Sequence, residues 1–356
     1  MKIRYSIIVV LFVTGLLSSC KKKSNDNPTP ITPGIVTTFA GSGSIGSTNG
    51  SSTTASFHSP TGIGIDAQGN LYVSDVNNNI IRKITAAGIV STFAGSGVQG
   101  LGDGPASTAN FNIPSGIAID ASGNVYVADS YNNIIRQISG GIVNTYAGIA
   151  GSGGKGNGSA SNAYFLRPSG LAVDASGNLY VSDSGNNLIR KITPAGNVTT
   201  FAGSGVNGHT DGTGTAASFD SPAGITIDAS GNIYVSDSGN NLIRKITSGG
   251  VVSTLAGSGA AGSSNGTGSA ATFYGPQGIT VDASGNVYVV DTGNNLIRKV
   301  TASGVVTTLA GSGKEGSTNG TGTDASFYVP IGITIDAVGN LYVTDSSSEL
   351  IRKITT

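Results

Sequence analysis

Two sets of aspartates run through the chain at a fixed spacing of 54 residues. One is Asp66, Asp120, Asp174, Asp228, Asp282 and Asp336; the other is Asp75, Asp129, Asp183, Asp237, Asp291 and Asp345. An arginine keeps step with them, at Arg82, Arg136, Arg190, Arg244, Arg298 and Arg352. A ring of carboxylates could hold a cation, and paired carboxylates could run acid–base chemistry. A catalytic site needs asymmetry, however, and these residues recur in every repeat. Both aspartate sets are therefore expected to hold structure, with the arginines as their counter-charges in hydrogen-bonded pairs. The other chemistry-bearing residues are sparse. The histidines are His58 and His209, the glutamates Glu315 and Glu349, and the single cysteine is Cys20. A zinc site needs three or four nitrogen, sulfur or oxygen ligands converging on one point, and two histidines in loops of different register do not supply it. No catalytic residue, metal or cofactor is expected.

The elements that carry these residues are strands. The stretch from Pro168 to Ile192 recurs six times, led by Pro60, Pro114, Pro168, Pro222, Pro276 and Pro330, and a repeat of this length marks a solenoid, propeller or array. Within it, Gly170–Asp174 and Leu179–Ser182 are short runs rich in β-branched and aromatic residues, joined by the hairpin loop Ala175–Asn178. Asp183–Asn187 is a turn, Leu188–Ile192 a third strand and Asn197–Ala202 a fourth. Each repeat is predicted to be a four-stranded antiparallel meander, apolar on both faces as in Leu179, Tyr180 and Val181. The termini decide how six such sheets are arranged. The last repeat stops after its third strand, Leu350–Ile354, and the missing fourth appears ahead of the first repeat as Gly34–Ala40. A closed ring needs that offset and an open solenoid does not. The expectation is an all-β, six-bladed β-propeller, closed by the N-terminal strand joining the C-terminal blade.

The repeat resembles the NHL family through Pro-x-Gly-Ile/Leu-x-Ile/Val-Asp, Asn-x-Tyr-Val-x-Asp and Asn-x-Ile-Arg, as at Pro222, Asp228, Tyr234, Asp237, Asn241 and Arg244. The resemblance covers residues 34–356. It implies that the first strand of each blade lines a central channel, and that the blade-linking loops share one face with the turns between second and third strands. It implies no one activity, because such propellers bind proteins or nucleic acids, act as sensors, or in relatives work as lyases and lactonases. The lyases of this fold use channel histidines, and gluconolactonase-like propellers hold a metal with a glutamate among its ligands. Here the channel positions are Ile, Val, Ala, Gly or Thr, and neither glutamate falls on a first strand. A non-catalytic binding module is the favoured expectation. A metal-dependent hydrolase or lyase working in the channel is the alternative.

Residues 1–19 read as a lipoprotein signal peptide. Lys2 and Arg4 precede the apolar run Ile7–Leu17, which is shorter than the roughly 20 residues a membrane span needs, and Ser18–Ser19 follow. Leu17-Ser-Ser-Cys20 resembles the bacterial lipobox, which makes Cys20 the lipidated residue. Residues 20–33 are polar and proline-bearing, a flexible tether leading to the propeller at 34–356. The lysines after Cys20 imply, by the same resemblance, the outer membrane. Charged residues are 11% of the chain and balanced in sign, which argues against nucleic acid, since phosphate binding needs a basic surface. Glycine, 56 of 356 residues, is about twice its usual share and concentrates in the blade-linking loops. Phe57, Phe111, Phe165, Phe219, Phe273 and Phe327 recur there as expected loop anchors.

The positions that vary between blades carry more functional information. Two residues before each repeat proline stand His58, Asn112, Leu166, Asp220, Tyr274 and Tyr328; one residue after it stand Thr61, Ser115, Ser169, Ala223, Gln277 and Ile331. In a closed ring Tyr274, Tyr328 and His58 fall on adjacent blades. Blade 6 departs furthest from the pattern, with Ser348–Glu349 in place of Asn–Asn. His58, Tyr274, Gln277, Tyr328 and Glu349 form the expected ligand-binding set, suited to a glycan or an extended peptide at the loop face. The expected protein is a monomeric propeller held at the membrane by lipid on Cys20, with a protein or glycan as its partner.

Overall fold

The computed structural model describes residues 33–356, so the expected signal peptide, Cys20 and all of the tether but Pro33 lie outside the described residues. Six antiparallel sheets form the six blades. In blade 4 the strands are Pro222–Ile227, Ile233–Asp237, Leu242–Ile246 and Val251–Ala256. The expected third and fourth strands of blade 3 fall on Leu188–Ile192 and Asn197–Ala202. Its inner strand begins earlier than expected, at Pro168, since proline is accommodated at the first residue of a strand.

The inner strands meet in a closed cycle, Pro60–Ile65 touching both Pro114–Ile119 and Pro330–Ile335. Ile35–Ala40 pairs with Leu350–Thr355, Val36 opposite Ile354, which supplies blade 6 with its fourth strand. The core lies between blades and not inside any one. Tyr72, Ile81 and Ala94 of blade 1 pack on Phe111, Ile117 and Val127 of blade 2. The ring is sealed in the same way, Ala40, Tyr342 and Ile351 packing on Phe57, Ile63 and Val73. A single sheet therefore leaves both faces unburied, and the blades stabilise one another.

The four expected strands are present in every blade, and five blades add to them. Five sheets carry a short fifth strand taken from the linking loop, such as Gly212–Thr213 on Val251–Val252. Blade 1 has a single bridge in its place, Gly50 to Val90. The loops are long because each one descends along the outer edge of the next blade before reaching its inner strand. They cover backbone groups that an exposed edge strand would offer to another chain.

Close approach at the axis depends on glycine. A Cβ on Gly116 would overlap the Ser169 carbonyl oxygen of the next blade, and one on Gly62 would overlap that of Ser115. Around the whole ring, the proline-x-glycine segment brings each inner strand against its neighbour.

Candidate functional site

The aspartate–arginine pairs expected from the sequence are present for the second aspartate set. Arg244 is fully buried, and its Nη1 donates to Asp237 Oδ2 at 2.7 Å and to the Ser218 carbonyl at 3.1 Å. Its Nη2 donates to the Thr210 carbonyl and to Asp211 Oδ1 at 2.8 Å. The Phe219 ring lies under the guanidinium, 5.2 Å from it. The other Asp237 oxygen accepts the Asp220 amide at 2.8 Å. One arginine thus ties the linking loop, the second turn and the loop-anchoring phenylalanine together, and all six blades repeat the arrangement. Burial pushes the Asp237 carboxyl above its ordinary value, and the amide, Asn240 and Arg244 bonds offset part of that rise.

The first aspartate set does something else, and its expected pairing with arginine is corrected here. Asp228 Oδ1 accepts the amides of Ser230 and Asn232, and Oδ2 accepts Asn232 Nδ2 at 2.9 Å and the Tyr234 hydroxyl at 3.2 Å. Burial pushes this carboxyl up, but the bonds from Asn232, Tyr234 and Ser230 outweigh it and hold Asp228 below its ordinary value. Burial beside Asp228 pushes the Tyr234 phenol up to about 12. The carboxylate closes its own hairpin, an Asx-turn role, and has no counter-cation.

At the opposite end of the inner strands the channel opens into a cavity of about 110 Å³. Thr61, Ser115, Ser169, Ala223, Gln277 and Ile331 form its rim, and Ile63, Ile117, Leu171, Ile225, Ile279 and Ile333 lie deeper. No ionisable side chain lines it. Several rim hydroxyls reach across blade seams to carbonyls, as Ser115 Oγ does to Ser169 O at 3.2 Å and Ser169 Oγ to Ala223 O at 3.1 Å. A gluconolactonase-type metal does not fit these residues, and no group of three or more His, Cys, Asp or Glu suited to a metal occurs among the described residues.

The five expected binding residues are put to different uses. Tyr274 is 53% exposed and lies over the second turn of its own blade, where a Cβ on Gly293 would come within 2.5 Å of its Cδ1. The missing side chain lets the ring rest against the turn while more than half of the residue stays exposed. Tyr328, 38% exposed, lines a shallow pocket with Ser347, Ser348 and Gly41–Gly43, away from the central cavity. Gln277 lines the cavity, and its Nε2 donates to Ser238 Oγ of blade 4 at 3.0 Å. His58 is partly buried beside the blade 6–1 seam.

Glu349 requires a correction, because it is a seam residue. In five blades an asparagine in the left-handed region accepts, through Oδ1, the amide two residues after the anchoring phenylalanine of the next blade. Asn241 with Gly275 and Asn295 with Val329 are examples, both at 2.8 Å. At the closure Glu349 (φ 58°) takes the place of asparagine, and its Oε2 accepts the Ser59 amide at 2.6 Å. It is 7% exposed. Burial pushes its carboxyl up from the ordinary value, partly offset by the Ser59 amide and by His58. Its oxygen is committed to the seam and is not presented to a ligand.

Two mouth residues were not among those expected. Tyr131, 54% exposed, stands where blades 3, 4 and 5 have the glycine of their second turn, and the Arg167 guanidinium lies over its ring in cation–π range, 5.4 Å from the centroid. The signal was the break in the Ser-Gly-Asn pattern at Ser130-Tyr131-Asn132. The amides taken up at the seams belong to residues in the left-handed region, with φ of 49–57°. Ile113 and Val329 are among them, a costly conformation for β-branched residues that the neighbouring blade's asparagine holds in place.

The model of the NHL repeat matches residues 111–138, 165–192 and 219–246, and that of the teneurin NHL domain matches 261–324. The chain carries NHL repeats. These matches fall on blades 2 to 5, in phase with the 54-residue period. Protein SUPPRESSOR OF QUENCHING 1, chloroplastic, of Arabidopsis thaliana is 30% identical over 173 residues, 45% of this chain and 16% of that protein. NHL repeat-containing protein 2 of Bos taurus is 29% identical over 228 residues, 54% of this chain and 31% of that protein. The matches thus span less than a third of these relatives' length. Among solved structures, an auxiliary nutrient binding protein from Bacteroides ovatus superposes with a TM-score of 0.69 at 17% identity, over 91% of this chain and 77% of that one. A gluconolactonase from Xanthomonas campestris gives 0.59 at 14% identity, over 92% and 95%. At these identities the likeness is one of fold.

Proposed function

We propose that this NHL-repeat propeller is a non-catalytic binding module of the cell envelope, taking a protein or glycan partner on the face where the channel opens. The observation that carries this reading is Tyr274, whose ring is backed by Gly293 and which is 53% exposed. An aromatic ring held flat at low conformational cost suits recognition. Tyr328, Gln277 and His58 complete the proposed set. The likeness to a nutrient binding protein is compatible with a binding role. The likeness to a gluconolactonase favours a channel enzyme as second reading, but the cavity lining offers neither carboxylate nor imidazole.

In this reading, lipid on Cys20 anchors an exported protein, in the outer membrane. The described chain enters at Pro33, against Gly322, where Ile35 pairs with Thr355 and Thr321. That is the hairpin end of blade 6, where Thr356 Oγ1 donates to the Gly339 carbonyl. Tyr328 and Pro330 lie at the other end of its strands.

The test is binding of the full chain to a glycan array and to envelope fractions, beside a Tyr274→Ala, Tyr328→Ala double variant. Binding that falls by about tenfold or more, the scale of an aromatic hot spot, supports the reading. Equal binding by both proteins contradicts it.

A further inference from the structure

The mouth has a second aromatic pole. Tyr131 belongs to blade 2 and Tyr274 to blade 5, three blades apart in a ring of six, so the two tyrosines stand on opposite sides of the ring at the end where the channel opens. Each lies over the second turn of its blade, and each exposes more than half of its surface. In blade 5 the tyrosine comes from the linking loop and the turn supplies Gly293; in blade 2 the turn supplies Tyr131 and the loop a small Asn112. With sheets packed face to face at about 10 Å, opposite blades of a six-membered ring stand on the order of 20 Å apart.

The two poles differ in charge. The Arg167 guanidinium lies over the Tyr131 ring, and the other six arginines of the described residues each have a carboxylate partner. Arg167 has none, and it is exposed. A cation–π contact holds the guanidinium beside the ring, and without a carboxylate partner its N–H fork is open to a carboxylate in two-point contact. The Tyr274 pole has Gln277, a neutral group, at the rim beside it. Between the poles lies a cavity lined by hydroxyl, amide and aliphatic groups without charge.

We infer that the mouth takes an extended acidic oligosaccharide, laid across the opening with a carboxylate-bearing sugar on Tyr131–Arg167 and a neutral sugar face on Tyr274. This inference rests on the binding reading above and names its ligand. Flat sugar faces match exposed rings, and sugar hydroxyls match an uncharged polar rim. The outer edges of five of the six sheets are already covered by the fifth strands, which removes the long free edge that an extended peptide would use to add a strand.

The experiment is calorimetric titration of the full chain with oligogalacturonate, with its methyl-esterified neutral form, with alginate oligomers, with sulfated carrageenan oligomers, and with cello-oligosaccharides. The expected result is binding of a carboxylated oligomer, about tenfold weaker once the carboxylates are esterified, the scale of one charge-assisted contact. Arg167→Gln should erase the preference for the acidic form while leaving neutral binding in place, and Tyr131→Ala should weaken both. Added salt should weaken the acidic ligand alone. Sulfated oligomers binding as well as carboxylated ones would move the ligand class to anionic sugars at large and overturn the carboxylate assignment. Equal binding of acidic and neutral forms, or no effect of Arg167→Gln while Tyr274→Ala still weakens binding, would overturn this inference and leave the mouth-face reading standing. Binding insensitive to Tyr131, Tyr274 and Tyr328 alike, or none to any glycan, would overturn it too; the first of these would also remove the mouth-face site.

Discussion

The second turn of each blade has an inner side and an outer side that obey different rules. On the inner side Asp237, Arg244 and Phe219, with their five sets of counterparts, repeat one arrangement around the whole ring. On the exposed side, the residue at the turn is His58, Tyr131, Leu166, Asp220, Tyr274 or Tyr328, four residue types in six blades. The buried side cannot vary, because both Asp237 oxygens and both terminal nitrogens of Arg244 have assigned partners out of water. The exposed side varies more widely, with a turn glycine leaving room beneath Leu166, Asp220 and Tyr274. A repeat protein of this kind separates holding from recognising within a single turn.

Breaking the repeated side should have the largest effect. Arg244→Leu leaves Asp237 buried without its cation, and loss of one member of such a pair costs about 3–5 kcal/mol. The melting temperature should fall by several degrees, with no change confined to ligand binding; an unchanged melting temperature would contradict the assigned role. Gly116→Ala comes next. Its Cβ would meet the Ser169 carbonyl of blade 3, and overpacking of this kind costs about 1–3 kcal/mol, measurable by denaturant unfolding.

The exposed side should respond in the opposite sense, with binding altered and stability kept. Gly293→Ala adds a methyl beneath the Tyr274 ring without removing the ring itself. Binding should weaken severalfold, the order of a displaced hot-spot contact. Tyr328→Ala measures the blade 6 member of the proposed set separately, because it leaves the blade 5 pole untouched. Equal binding by Gly293→Ala and the parent would show that the flat ring placement is unimportant.

The smallest effect belongs to the seam. Burial raises the Glu349 carboxyl above its ordinary value, so the folded state holds that proton more tightly than the unfolded chain does. Its contribution to stability is therefore fully present below the ordinary glutamate range and is lost as pH rises through the raised value. Glu349→Gln keeps an acceptor for the Ser59 amide without the buried charge. Its melting temperature should match the parent's in acid and exceed it at neutral pH; a gap that is the same at both pH values would contradict a charged seam.

Much of the fold was legible because the repeat states it six times. Strand positions, the blade count and the closing strand Ile35–Ala40 all follow from period and pattern. The fifth strands were not legible, since two residues such as Gly212–Thr213 carry no alternation to read. The partner of Asp228 was present in the spacing, with Asn232 and Tyr234 four and six residues on, but charge matching pointed to arginine instead. Glu349 was visible as a deviation, whereas its use was not, because its bond to Ser59 joins residues 290 apart in sequence. Tyr131 and Arg167 come together only across a blade seam, which no local pattern displays.

The most direct test of the division between holding and recognising is to measure binding and melting temperature on the same preparations of the parent and the Tyr274→Ala, Tyr328→Ala double variant. The account predicts a melting temperature unchanged and binding to the parent's glycan or envelope partner weakened by about tenfold or more. An unchanged affinity, or a loss of affinity matched by a loss of stability, would contradict it.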